Sequence, residues 1–98
     1  MKEIEDILDR FMKHSADDPG IGPSHISLFI AILVLYAENG KKLPIAAFSR
    51  QLRAVGKMSS RTYYECIRYL NSKRYIVYEP SYDPEKASLI YFTQDKKT

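Results

Sequence analysis

Three observations predict a mainly α chain with a small β-hairpin, an α+β class. Apolar residues recur at helical spacing in the first fifteen positions and again between residues 44 and 73. One run between them is apolar on nearly every side, and two β-branched, aromatic segments follow. Ninety-eight residues support one core, so a single domain over 1–98 is expected.

The first helix is expected over residues 1–15. Ile4, Ile7, Leu8, Phe11 and Met12 take the spacing of one helical face, and Glu3, Glu5 and Asp6 sit in the first turn, where the helix dipole favours acids. The breaker cluster Asp17-Asp18-Pro19-Gly20-Ile21-Gly22-Pro23 ends it. Ser24 is the expected N-cap of a second helix, residues 24–38, whose all-round apolar surface marks it as central and buried. Asn39-Gly40 stops that helix. Pro44 suits the first turn of a third helix running to Val55, with Ile45, Phe48, Leu52 and Val55 inward and Ser49, Arg50 and Arg53 outward. Gly56 is expected to take positive φ in the turn that follows. Ser59 then caps a fourth helix ending near Lys73. Tyr75–Tyr78 and Ser88–Phe92 read as two strands joined by the loop Glu79–Ala87, and residues 93–98 as a polar, frayed tail. Two helices, a helix-turn-helix over 44–74 and a hairpin over 75–92 form, in that order, the winged helix-turn-helix arrangement.

Charge is segregated along the chain. Between Lys41 and Arg74 stand nine basic residues and one acid, Glu65, a net +8, whereas residues 1–40 carry a net −4 and residues 75–98 a net −1. A basic helical pair, in a chain of pI near 9.0, suits a polyanion whose condensed counterions it would release. Cys66 is the only cysteine, which excludes an intrachain disulfide and a cysteine-rich zinc cluster. The acidic, amphipathic opening is unlike a signal peptide. The longest apolar run, Ile26–Ala37 with Ser27 inside it, falls short of the ~20 residues a bilayer requires. A cytoplasmic location and no membrane partner are expected.

Around the fourth helix, Tyr63, Cys66, Ile67 and Leu70 form the core face, while Arg61, Tyr64 and Arg68 share the opposite one. In a helix-turn-helix, the N-terminal part of the second helix enters the major groove, where an arginine fork matches guanine O6 and N7. Arg61, Tyr64 and Arg68 are therefore the expected base readers, with Tyr64 suited to a thymine methyl or a phosphate. Lys41, Lys42, Arg50, Arg53, Lys57 and Lys86 are the expected phosphate contacts, joined by Ser59 and Ser60 at a helix N-terminus. In the wing, Ser81 and Tyr82 are further candidates. Tyr82 either meets the DNA backbone or packs back onto its own loop.

Other residues have plainer readings. Cys66 lies on an inward face and reads as a small core residue. His14 and His25 have no cysteine or carboxylate at ligand spacing, and His25 reads as a helix-start residue. Tyr75, Tyr78 and Tyr91 fit strand faces and core packing. There is no glycine-rich phosphate loop, nucleophile elbow or metal motif, so no enzyme activity, metal, cofactor or small-molecule ligand is expected.

Three patches carry a resemblance: His25-Ile26-Ser27-Leu28 with Asn39 and Pro44-Ile45; Ser59-x-x-Thr62-Tyr63 with Cys66-Ile67; and Tyr75-Ile76-x-Tyr78-x-Pro80-Ser81-x-x-Pro84 continuing to Lys86 and Ser88. In these, the stretch from His25 to about Ile90 resembles the small winged-helix DNA-binding proteins of conjugative and mobilisable elements of Bacteroidetes. The resemblance implies a bacterial, DNA-associated role in the regulation, transfer, excision or replication of such an element. The chain departs from the family at Tyr64 and Glu65, where a histidine and a basic residue are frequent, and at Glu85 and Ala87 around the wing lysine.

The leading expectation is a protein that binds double-stranded DNA and serves as a transcriptional or accessory factor. The alternative is a protein-interaction module on the same fold without DNA contact, docking through Ile4, Ile7, Leu8 and Phe11 or through the acidic wing. A homodimer through the first helix is a subsidiary expectation, set against that helix simply covering its own core.

Overall fold

The computed structural model describes residues 2–93. In chain order its elements are α1 (Lys2–Ser15), α2 (Pro23–Glu38), β1 (Ile45–Ala47), α3 (Ser49–Gly56), α4 (Ser60–Ser72), β2 (Ile76–Glu79) and β3 (Ser88–Phe92). Among the described residues this is a mainly helical α+β fold with four helices and one three-stranded antiparallel sheet, strand order β1-β3-β2. No helix among them is long and apolar enough to cross a membrane. From residue 94 on, the expected tail lies outside the described residues.

An unbroken run of apolar side chains makes α2 the centre of the molecule. Leu28, Phe29, Ala31, Ile32, Leu33, Leu35 and Tyr36 are buried, and the helix packs against α1, α3, α4 and β1. Phe29 stacks on Phe11 of α1 with ring centroids 4.0 Å apart, and both Phe29 and Tyr36 meet Phe92 of β3, at 5.7 and 5.2 Å. Of Ile4, Ile7, Leu8 and Phe11, expected to dock a partner, Ile7 and Phe11 are buried in the chain's own core and Ile4 and Leu8 pack beside them; Met12 stays exposed. The helix starts one residue before Ser24. Pro23 occupies the first position, where its missing N–H costs nothing, and His25 Nδ1 accepts a hydrogen bond from the Gly22 N–H at 3.1 Å.

Pro44 does not begin a helix. Ile45–Ala47 forms a strand that pairs with β3, Ile45 opposite Ile90 and Ala47 opposite Ser88, and buries Ile45 and Ala47 while exposing Ala46. The apolar spacing from Ile45 to Val55 fits a helical period, but the first three residues obey a period of two because a distant strand supplies their hydrogen bonds. The third helix therefore starts at Ser49. Phe48 precedes it, donating its N–H to Gln51 Oε1 at 2.8 Å, and Val55 is 42% exposed rather than inward. Gly56 does not take positive φ either. It closes α3 with its carbonyl accepting from Ser27 Oγ at 2.7 Å, and Lys57 is the left-handed residue, φ 59°. Tyr75 lies just before β2 rather than within it, and the expected two-stranded hairpin is a three-stranded sheet.

The link between α1 and α2 is pinned by one carboxylate. Asp18 Oδ1 accepts from the Tyr69 hydroxyl at 2.6 Å and from the Gly20 N–H at 2.9 Å; its Oδ2 accepts from the Tyr75 hydroxyl at 2.7 Å. A Cβ at Gly20 would collide with the Tyr69 hydroxyl. The His25 ring packs edge-on against Tyr69 at 5.0 Å. The Tyr69 hydroxyl, then Tyr75 and the Gly20 N–H, hold Asp18 below its ordinary value of 3.8. Burial holds His25 below 6.5, against the pull of Asp18.

Two stability predictions follow from this packing. Phe29→Ala removes a ring shared by α1 and β3 and should cost about 3–5 kcal/mol in urea denaturation; a loss well below that would mean α1 is not anchored through it. Stability should also fall on acidification in two stages. The folded chain resists a proton on His25 that the unfolded chain accepts near pH 6.5, so this contribution is full above 6.5 and lost below it. The Asp18 contribution is full above 3.8 and lost as the pH falls through its lower folded value. In thermal melts across this range, Asp18→Asn should start less stable and lack the second stage; identical acid profiles would remove Asp18 from the account.

Candidate nucleic-acid interface

Helix α4 divides cleanly because only one side of it can reach α2. Tyr63, Cys66, Ile67 and Leu70 are buried, and Arg61, Tyr64 and Arg68 are exposed. Ser59 caps the helix as expected, its Oγ accepting from the Thr62 N–H at 3.2 Å. Its hydroxyl is thereby engaged, while Ser60 is exposed beside it. Cys66 is a core residue whose thiol burial pushes up, with Glu65 adding to the shift. Burial, then the neighbouring Tyr78 hydroxyl, pushes Tyr63 far above the ordinary phenol range.

The outward side chains are held in place. Arg68 Nε donates to the Tyr64 carbonyl at 3.2 Å, which lays the arginine along its own helix. Tyr64 rests edge-on against buried Tyr63 at 4.9 Å. Arg61 is paired with Glu65, Nε to Oε2 3.3 Å, and both side chains are mostly in solvent. Such a pair contributes at most ~1 kcal/mol, so a stronger anion can capture the guanidinium.

Strand pairing brings a second set of residues to the same side. Arg50, near the start of α3, lies over the Phe48 ring at 4.4 Å. The loop after β2 is braced internally: Ser81 N–H donates to Ser88 Oγ at 3.1 Å, and the Asp83 N–H donates to Ser81 Oγ at 3.2 Å. Tyr82 projects from this loop with 91% of its surface exposed, so it does not pack back. Arg50, Tyr64, Ser81, Tyr82 and Lys86 line one cleft of about 440 Å³, with Phe48, Tyr78 and Asp83 completing its walls.

The remaining expected contacts lie outside that cleft. Lys42 and Lys57 are exposed, and Lys41 is half-buried with left-handed φ, its N–H bonded to the Tyr36 carbonyl at 2.8 Å. Arg53, expected to face outward, is half-buried, and its Nε has no hydrogen-bond partner. Phe48, expected on an inward stripe, instead forms a wall of the cleft. The signal for it was Gln51, three residues on, which marks Phe48 as a helix-start position. A separate, mostly apolar groove of about 550 Å³ lies between Ile21, Pro23, Ile26, Ile30 and Val55. Among the described residues no three His, Cys, Asp or Glu side chains are grouped to hold a metal ion.

Comparison with protein-family models, curated proteins and solved structures finds no match to this chain.

The Arg61–Glu65 pair gives a test of this face. Glu65→Gln frees Arg61 and removes the one acid in the basic segment, so if this face meets DNA as the sequence leads one to expect, duplex affinity at low salt should rise by up to about fivefold. Unchanged affinity in fluorescence anisotropy would place Arg61 outside the contact.

Proposed function

We propose that this chain is a winged-helix DNA-binding protein, α3 and α4 forming the helix-turn-helix and the β2–β3 loop the wing. The observation that carries the reading is the convergence of α3, α4 and the loop on one side. Arg50, Tyr64, Ser81, Tyr82 and Lys86 meet in a single cleft, beside exposed Arg61 and Arg68 on the same side of α4. These belong largely to the segment that carries the net +8. Phosphate neutralisation falls to Lys42, Arg50, Lys57 and Lys86, with Lys41, Arg53 and Ser60 flanking, and base reading to Arg61, Tyr64 and Arg68. The resemblance of residues 25–90 to winged-helix proteins of mobile elements favours a transcriptional or accessory factor of such an element, working in the bacterial cytoplasm.

A second reading, a protein-interaction module, draws on the apolar groove, where Ile30 and Val55 are each 42% exposed. Salt dependence separates the two. Duplex from the flank of the chain's own gene should bind more tightly than an unrelated duplex, and its affinity should fall steeply between about 50 and 200 mM salt. Arg68→Ala should cost about 1–3 kcal/mol at one base pair only, whereas Lys57→Ala should weaken all sequences alike and lower the salt slope by about one. Absence of any DNA affinity at low salt would favour the interaction module.

A further inference from the structure

We infer that the cleft between α3, α4 and the β2–β3 loop holds a single unpaired DNA nucleotide, its base stacked on Tyr82. This deepens the DNA-binding reading and rests on it: the preferred substrate is duplex DNA carrying an unstacked base.

Three observations lead there. Tyr82 is 91% exposed and no packing in the chain accounts for its ring, while Tyr64, 42% exposed, presents a second aromatic surface to the same cleft. Inside a regular duplex every base face is covered by its neighbours, so only an unstacked nucleotide offers a π-face to these rings. The volume, about 440 Å³, falls within the ~300–1,000 Å³ of sites that enclose a small ligand. Arg50 stands in the cleft wall over Phe48, placed for the one phosphate such a nucleotide brings.

The charge of the loop argues the same way. Residues 79–87 hold Glu79, Asp83 and Glu85 against Lys86 alone. A loop of that balance offers a phosphate backbone Lys86 and little more. It tolerates a neutral base well, and Asp83, whose Oδ1 accepts from the Glu85 N–H at 3.0 Å, is among the residues lining the cleft.

The test compares a short duplex with the same duplex carrying one unpaired adenine, by anisotropy at fixed salt. The unpaired base should improve affinity about five- to 150-fold. Tyr82→Ala should abolish that gain, so that the duplex with the unpaired base and the perfect duplex bind alike. Because Tyr82 is exposed, this variant keeps the fold. The chain has no tryptophan, so Tyr82→Trp introduces a single indole fluorophore. It should retain the gain, and its emission should be quenched by the duplex with the unpaired base and not by the perfect one. Equal affinity for both duplexes without quenching would overturn the inference and leave duplex binding standing. No affinity for either would overturn the DNA-binding reading together with it.

Discussion

The burial of most of α2, all but the stripe that carries Ile30, is the constraint on which the other elements depend. A helix whose buried residues, from Ala31 through Leu28 and Ile32 to Phe29 and Leu33, span more than half its circumference can be covered only by several elements at once. At about 1.5–3 kcal/mol for each large side chain taken out of water, leaving these buried residues bare would cost much of a small domain's stability. α1, α3, α4 and β1, joined by Phe92 of β3, therefore pack against it, each through apolar side chains. α4 keeps its other face for solvent. Core burial thus explains why Arg61, Tyr64 and Arg68 are presented together: the helix has only one direction left in which to point them.

A second constraint is the polar fastening of the loop that leads into α2. Asp17–Gly22 is not apolar enough to be held by packing, and Asp18 supplies the anchor, drawing hydroxyls from α4 and from the chain just after it. Tyr69 and Tyr75 pay little for this, since each keeps its ring against neighbouring side chains while the hydroxyl finds a charged acceptor. Burial, then the hydrogen bond to Asp18, pushes Tyr75 up to about 12. Phenol and carboxylate each stabilise the protonation state that the other needs near neutral pH.

Local periodicity made α1 and α4 legible in the sequence, because each is long enough for a helical period to be unambiguous, whereas α2 was legible from the length and all-round apolarity of its run. The inward set Tyr63, Cys66, Ile67 and Leu70 followed from that period alone. It failed between Pro44 and Val55, where three strand residues followed by an eight-residue helix produce a spacing that mimics one longer helix. What decides that segment is the pairing of Ile45 with Ile90, a contact between distant positions that no local window contains. The role of Asp18 was hidden for the same reason, its tyrosine partners lying more than fifty positions away. The exposure of Tyr82 depended on how the loop braces itself through Ser81 and Ser88, which composition does not encode.

The misread segment is also the one that builds the cleft. In the expected fold, residues 44–48 were helix and the hairpin stood alone, so nothing tied the start of α3 to the wing loop. In the observed sheet, Ala47 at the end of β1 pairs with Ser88 at the start of β3. Phe48, Ser49 and Arg50 therefore emerge beside the point where the loop carrying Tyr82 and Lys86 returns to the sheet. On the other edge, the Tyr78 N–H donates to Asn71 Oδ1 at 2.9 Å and ties β2 to the end of α4. The spacing between helix pair and loop is thus set by strand register and one side-chain bond, not by the loop's own conformation. A site assembled this way has residues of α3 and α4 on one side and the exposed ring of Tyr82 on the other.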